Sequence, residues 1–313
     1  MTTKMAAHRP EGRWAAFRRP ETKWAFIFLA PWIFGFLVFT AGPMLASFVF
    51  SFMDYRGNTP RAPSFIGFEN YADLLRDARA RKALENTIYY TIFHVPLQIG
   101  FALLLASLLN RVRRGTGFFR TVFYLPVMTP AVAVGALWLQ LLNPQQGLVN
   151  NGLELLGING PNWTTDPQWI KPGIVLMSLW ALGSTVVIYF AALRNVPVEL
   201  YEAAKIDGAN AWQQFRTITL PMISGAIFFT LIVNTIYSLQ LFSEVYAMYF
   251  GAGAPPISRE ALFYVIYLFQ KAFDDLQFGY ASAMAWLLFV VILIITVVQL
   301  RLSKRFVYYE GER

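Results

Sequence analysis

The chain has 313 residues, 56% of them hydrophobic and only 14% charged, with a formal net charge of +8 and no cysteine. Soluble domains carry about 25% charged residues, so this composition argues against an ordinary water-soluble globule. The missing cysteines exclude disulfides, thiolate metal sites and cysteine nucleophiles.

Residues 1–23 form a basic tail. Beyond it lie six stretches without a charged residue, at 24–53, 86–110, 121–153, 172–193, 217–243 and 276–300. Crossing roughly 30 Å of hydrocarbon at 1.5 Å per residue takes about 20 residues, so each can span as a helix. The first run is too long for the apolar core of a secretory signal, about 7–15 residues, and reads as a retained span. Pro31 and Gly42-Pro43 are predicted to kink it, because proline removes a donor and clashes with the preceding turn.

An outer segment at about 54–85 follows, with helical apolar spacing in "FENYADLLRDARARKALENT". Span two ends in the basic turn "RVRRGTGF", and span three runs from about 119 to 142. The next outer loop is rich in Asn, Gly and Pro and predicts turns with one short helix. Spans four and five bracket a polar segment, residues 195–221. A third outer loop holds "GAGAPP" and an apolar piece at 261–270, too short to cross. Span six leads into a short basic tail, 306–313. The chain divides into the tail 1–23, the first span with its outer loop 24–85, a five-helix core 86–305 containing the 195–221 loop, and the tail 306–313. The fold class is all-α: a polytopic membrane protein with six transmembrane helices.

With the N-terminus in the cytoplasm, the inner segments hold 17 of the 26 basic residues and seven acids. Basic residues in short loops favour the cytoplasmic side. The positive charge therefore reads as topology, with both termini cytoplasmic, and not as a nucleic-acid footprint.

Residues 195–221 then face the cytoplasm. Pro197 suits a first helical turn. Glu199 and Glu202 sit toward the positive helix end, and Ala203 and Ala204 favour helix. Gly208 supplies a stop. A second helix from Asn210 to about Ile218 carries Trp212 and Phe215, and Leu220-Pro221 turns the chain back. Such an elbow could lie on lipid. Lipid-bound helices are basic on their polar face, however, and Glu199, Glu202 and Asp207 against Lys205 favour a protein groove.

The stretch "EAAKIDGANAWQQFRTITLP" resembles the EAA loop of ABC importer permeases at Glu202, Ala203, Ala204, Asp207, Gly208, Ala209, Leu220 and Pro221. The segments 119–157, 192–204 and "FGYASAMAW" at 278–286 resemble the carbohydrate, maltose-permease-like branch, and the likeness covers about residues 24–305. It implies that the loop, with Tyr201, is a coupling helix that docks on an ATPase. The implied partners are a second permease, two ATPase subunits, an extracytoplasmic solute-binding protein, a sugar and the lipid bilayer. ATP and Mg would reside on the ATPases, with no cofactor in this chain. The implied location is the inner membrane. "GAGAPP" departs from the family's usual Gly-Gly-Pro-type stretch.

No lysine follows a glycine, so no Gly-x-x-x-x-Gly-Lys-Ser/Thr phosphate loop exists. Two histidines, His8 and His94, make a metal site improbable, and no catalytic constellation stands out. His94 reads as a packing or cavity residue, and Asp274-Asp275 as solvated.

Ionisable groups inside a membrane usually face a cavity or a partner. Glu244 is the acid near a span, accompanied by Asn234, Tyr237, Gln240 and Ser243. Four-residue spacing is expected to set Gln240 and Glu244 on one helical face. Asn234 and Gln240 could equally bridge helices, and Tyr189 and Trp180 are weaker candidates. The expected function is a non-enzymatic permease subunit carrying a sugar or oligosaccharide. Alternatives are a permease for a glycerophosphodiester, polyamine or amino acid, or a stand-alone ion-driven transporter.

Overall fold

The computed structural model describes residues 20–60, 62–112, 114–251 and 259–306. The basic tail up to residue 19, most of the "GAGAPP" segment and the tail 307–313 lie outside the described residues. The chain begins with α1 (Pro20–Phe36), which contains Pro31 without interruption. The distortion falls later, at a π-type turn over Leu37–Ala41 that leads into α2 (Gly42–Phe50). Pro43 has no N–H to continue the ladder, and a widened turn accommodates the gap. Phe28, Trp32 and Phe39 on these helices face outward, as a surface solvated by hydrocarbon would.

A two-residue hairpin follows, with β1 (Met53–Asp54) antiparallel to β2 (Ser64–Phe65). Then come α3 (Glu69–Arg76) and α4 (Ala78–Arg111). The expected helical segment at 68–87 is therefore not one helix. Asp77 is extended, and its carboxylate accepts from the N–H groups of Arg79 (2.8 Å) and Ala80 (3.3 Å). This capping interaction starts a new helix. The helix begins well before Asn86 and has 34 residues; at 1.5 Å per residue that is about 51 Å, so α4 projects beyond the hydrocarbon.

The third and fourth runs are bent rather than straight. The pair α5 (Thr116–Tyr124) and α6 (Ala131–Leu141), joined through a tight turn at Leu125–Met128, turns by 98°. Pro126 and Pro130 supply the break. A short α7 (Leu148–Glu154) sits in the Asn/Gly-rich loop as expected. The pair α8 (Ile170–Ser178) and α9 (Gly183–Arg194) turns by 51°.

Beyond α9 come α10 (Val198–Ile206), α11 (Ala211–Gln214) and α12 (Leu220–Met222). The fifth run is α13 (Ser224–Leu239), a non-helical corner at 240–242, and α14 (Ser243–Tyr249). The apolar piece after it holds α15 (Tyr264–Phe269), and α16 (Phe278–Phe306) ends the described chain. Among the described residues, four helices are long and apolar enough to cross a membrane, or six if each bent pair is one span.

Two buried clusters organise these helices. One gathers α14, α15, the start of α4 and parts of α6, α8 and α16. The other gathers Ala102, Ala106 and Leu109 of α4, Val186, Tyr189, Phe190 and Leu193 of α9, and Ile223. The piece around α15 is buried, not looped out: Phe263 and Ile266 are fully enclosed. Its backbone is satisfied from α4, since Asn86 Nδ2 donates to the carbonyls of Arg259 (2.8 Å) and Leu262 (2.9 Å), and the Tyr264 N–H donates to Thr87 Oγ1 (3.0 Å). Irregular backbone at membrane depth requires such internal partners. Where α6 crosses α14, a Cβ on Gly135 would lie 2.4 Å from the Glu244 carbonyl, so only glycine permits that approach.

Candidate functional site

Two features stand out, one at the α9–α13 end and one between the two clusters. At the first, α10 starts after Pro197 and ends at Asp207, and Gly208 adopts φ +79°. The Ala209 N–H donates to the Ala204 carbonyl (2.8 Å), and the Gly208 N–H to that of Lys205 (3.1 Å). This paired pattern closes a helix whose next residue is left-handed. Asn210 then opens α11 with a reciprocal cap: its side chain accepts from the Gln213 N–H, and the Gln213 side chain accepts from the Asn210 N–H. Tyr201 OH is hydrogen-bonded to Thr219 Oγ1 at 2.8 Å and braces the first arm against the second. Local rules therefore fix the elbow. Glu202, Ala203 and Asp207 are exposed, and Ile206 (87%) and Trp212 (67%) project apolar surface outward.

The second feature is a cavity of about 540 Å³ lined from α4, α8–α9 and α13–α14. Asn234, Tyr237, Gln240, Ser243 and Glu244, singled out from sequence, all line it. The expected reason for joining Gln240 to Glu244 does not hold. The helix stops at Leu239 and restarts at Ser243, so a shared helical face cannot bring them together. Both line the cavity on either side of the irregular turn at 240–242. A second break, between α8 and α9, contributes Ser178, Ala181 and Ser184 opposite. Broken helices around a cavity give freed backbone groups a polar place to point.

Polar pairs line or abut this space. His94 Nδ1 is hydrogen-bonded to Ser178 Oγ at 2.7 Å, and its ring stacks on Tyr90. Gln98 Nε2 donates to Thr185 Oγ1 at 3.4 Å. Asn234 Nδ2 and Ser238 Oγ are buried on neighbouring turns of α13 and have no hydrogen-bond partner among the described residues. Such orphans are costly unless water or a ligand meets them.

Tyr189 and Trp180 do not line the cavity. Tyr189 is fully buried, with its hydroxyl bonded to Thr230 Oγ1 at 2.5 Å; Trp180 packs edge-on against Trp138. Sequence reading missed Tyr90, Gln98 and Ser238. The signal for the α4 members was present: Tyr90, His94 and Gln98 recur every four residues, a polar stripe on one face. Asp275 is exposed, as expected, and pairs with Lys271 (2.8 Å). No group of three or more His, Cys, Asp or Glu able to hold a metal occurs among the described residues.

Beyond the spans, at the end away from the elbow, two acids clamp helices. Asp77 accepts from Tyr267 OH (2.6 Å) and Tyr280 OH (2.8 Å) besides capping α4. Burial works against its ionisation, yet these hydrogen bonds outweigh burial and hold the carboxyl below its ordinary value. Glu260 bridges Lys82 (2.6 Å) and Lys171 (2.5 Å). It too is held low: its ammonium partners overcome its burial.

Residues 98–308 match the family described as the binding-protein-dependent transport system inner membrane component. The chain is 38% identical over 297 residues to the probable ABC transporter permease protein YesP of Bacillus subtilis (strain 168), covering 94% of each. It is 36% identical over 277 residues to the lactose transport system permease protein LacF of Rhizobium radiobacter, covering 87% of this chain and 91% of that one. Among solved structures it resembles a chain of a bacterial alginate ABC transporter in complex with an alginate pentasaccharide-bound periplasmic protein. That likeness has TM-score 0.80 and 27% identity, over 94% of this chain and 98% of the other.

Proposed function

Because the chain belongs to the family of binding-protein-dependent transport system inner membrane components, we propose that it is the membrane-spanning permease subunit of an ATP-driven carbohydrate importer. The elbow at residues 195–221 docks on an ATPase subunit in the cytoplasm, and the cavity beside α13 is part of the translocation path. A second permease, two ATPase subunits that bind ATP and Mg, and an extracytoplasmic solute-binding protein complete the assembly. Both termini are cytoplasmic. A lactose permease and an alginate transporter among the similar proteins support the carbohydrate class.

One observation carries the coupling mechanism: the helices that hold the elbow also wall the cavity. Leu193 and Ile223, at the two roots of the elbow, lie in one buried cluster with Leu182 and Val186 of the α8–α9 corner. That cluster packs as a unit, so a push on the elbow is transmitted to Ser178, Ser184, Asn234 and Ser238 rather than absorbed locally. The natural chain has no cysteine, which permits a direct test. A single Ala203→Cys variant, expressed with its operon partners, should crosslink to an ATPase subunit and be shielded from reagents outside intact cells. Crosslinks that never reach an ATPase, or labelling from outside, would refute the assignment.

A further inference from the structure

Resting on the carbohydrate-importer proposal above, we infer that this cavity admits uncharged saccharides and rejects acidic ones, with Glu244 as the discriminating residue. Among its nineteen lining residues there is no Lys or Arg, and Glu244 is the only acid. That carboxylate lies at the edge of a membrane helix, and no ion pair to it occurs among the described residues. Neither Lys171, which pairs with Glu260, nor Arg120, whose guanidinium lies over the Phe190 ring at 4.1 Å, lines the cavity. His94 already engages Ser178 through Nδ1.

The remaining surface suits hydroxyl groups. Asn234, 9% exposed, and Ser238, 2% exposed, carry polar atoms without partners among the described residues. Gln98, Gln240 and Ser243 add neutral donors and acceptors, while Tyr90 and Phe242 add apolar ring surface. A polyol can donate to the Glu244 carboxylate and accept from Asn234 Nδ2. A uronate or phosphate brings a second negative charge beside Glu244, where the described lining residues offer no Lys or Arg to receive it and offset its desolvation. Like charges a few ångströms apart at an effective dielectric near 20 disfavour entry by far more than about tenfold.

The first arm of the test reads the cavity potential directly and does not depend on the binding protein. In the assembled transporter, Ser184→Cys, an exposed cavity position, is converted to a mixed disulfide by cationic and anionic methanethiosulfonates, with methanesulfinate as the leaving group. Rates are normalised to those with free thiol. The cation should react at least about tenfold faster, and Glu244→Gln should bring the ratio near unity. Ser243→Cys serves as a second reporter should the first fail to insert. Substrate-stimulated ATP hydrolysis, with the same binding protein throughout, is then compared in the wild type and in Glu244→Gln for neutral di- to pentasaccharides and for digalacturonate and alginate pentasaccharide. Stimulation by neutral sugars, with uronates an order of magnitude weaker in the wild type and recovering in Glu244→Gln, supports the inference. Equal or faster reaction of the anion, or parity of uronates, overturns it and leaves the carbohydrate proposal standing. Stimulation by no saccharide of either class overturns that proposal and the inference with it.

Discussion

Replacing Gly208 separates backbone conformation from side-chain size at the elbow. Its φ of +79° lies in the left-handed region, and a Cβ there would meet nothing within 4 Å among the described residues. The whole intrachain cost of Gly208→Val is therefore conformational, about 1–2 kcal/mol or more for a β-branched residue. A penalty of that size lowers the ratio of closed to open elbow by a factor of about 5–30. The two bonds that seal α10, Ala209 N–H to Ala204 and Gly208 N–H to Lys205, are lost with it. Asn tolerates this conformation far better than Val, so Gly208→Asn should keep most of the coupling. The assay is binding-protein-stimulated ATP hydrolysis and uptake in proteoliposomes, at matched amounts of inserted transporter. Val should fall by up to that factor and Asn by much less. If Asn is as damaging as Val, bulk against the docked partner governs the site instead. Full coupling with Val would mean that the closed elbow is not the working form.

Other perturbations follow from the same contacts. Gly135→Val drives a side chain into the Glu244 carbonyl and should destabilise the α6–α14 crossing by about 1–3 kcal/mol, read as a lower melting temperature in detergent. Tyr201→Phe removes the 2.8 Å bond to Thr219 and should loosen the elbow by about 0.5–1.5 kcal/mol, seen as faster amide exchange at residues 198–219 with the helical bundle unchanged. Asp77 and Glu260 are both held below their ordinary values. Their stabilisation is thus complete above the ordinary carboxylate value, near 4, and is lost as pH falls below it. The melting temperature should drop on acidification from about pH 5 to 3, and Asp77→Asn should flatten that drop; an unchanged pH profile would contradict the clamp.

Which parts of this structure could be read from the sequence depends on whether their causes are local. The apolar runs and the elbow are local facts. Pro197, Gly208 and Asn210 each act within four residues, and both arms of the elbow appear where those residues put them. The break at Asp77 was equally local, since an aspartate ahead of "ARA" is a helix start. The 98° bend was advertised by Pro126 and Pro130. The partners of the cavity were not legible: His94 meets Ser178 across 84 positions and Gln98 meets Thr185 across 87, and no spacing rule reaches that far.

The corner at residues 240–242 is the instructive case. "SLQLFSEV" holds neither proline nor glycine, so propensity continues the helix through it, and the continuous helix would still have placed Gln240 near Glu244. It would not, however, have opened a space for them. In the structure Phe242 leaves the helix, stacks on Tyr246 and packs tilted against Phe269, and α14 lies against α6 closely enough that only Gly135 fits beneath the Glu244 carbonyl. The break is thus imposed by tertiary packing at two points, an aromatic cluster on one side and a glycine contact on the other. It turns a stripe of polar residues on α13 into one wall of a cavity. Residues chosen for their chemistry were found together for a reason that their spacing did not contain.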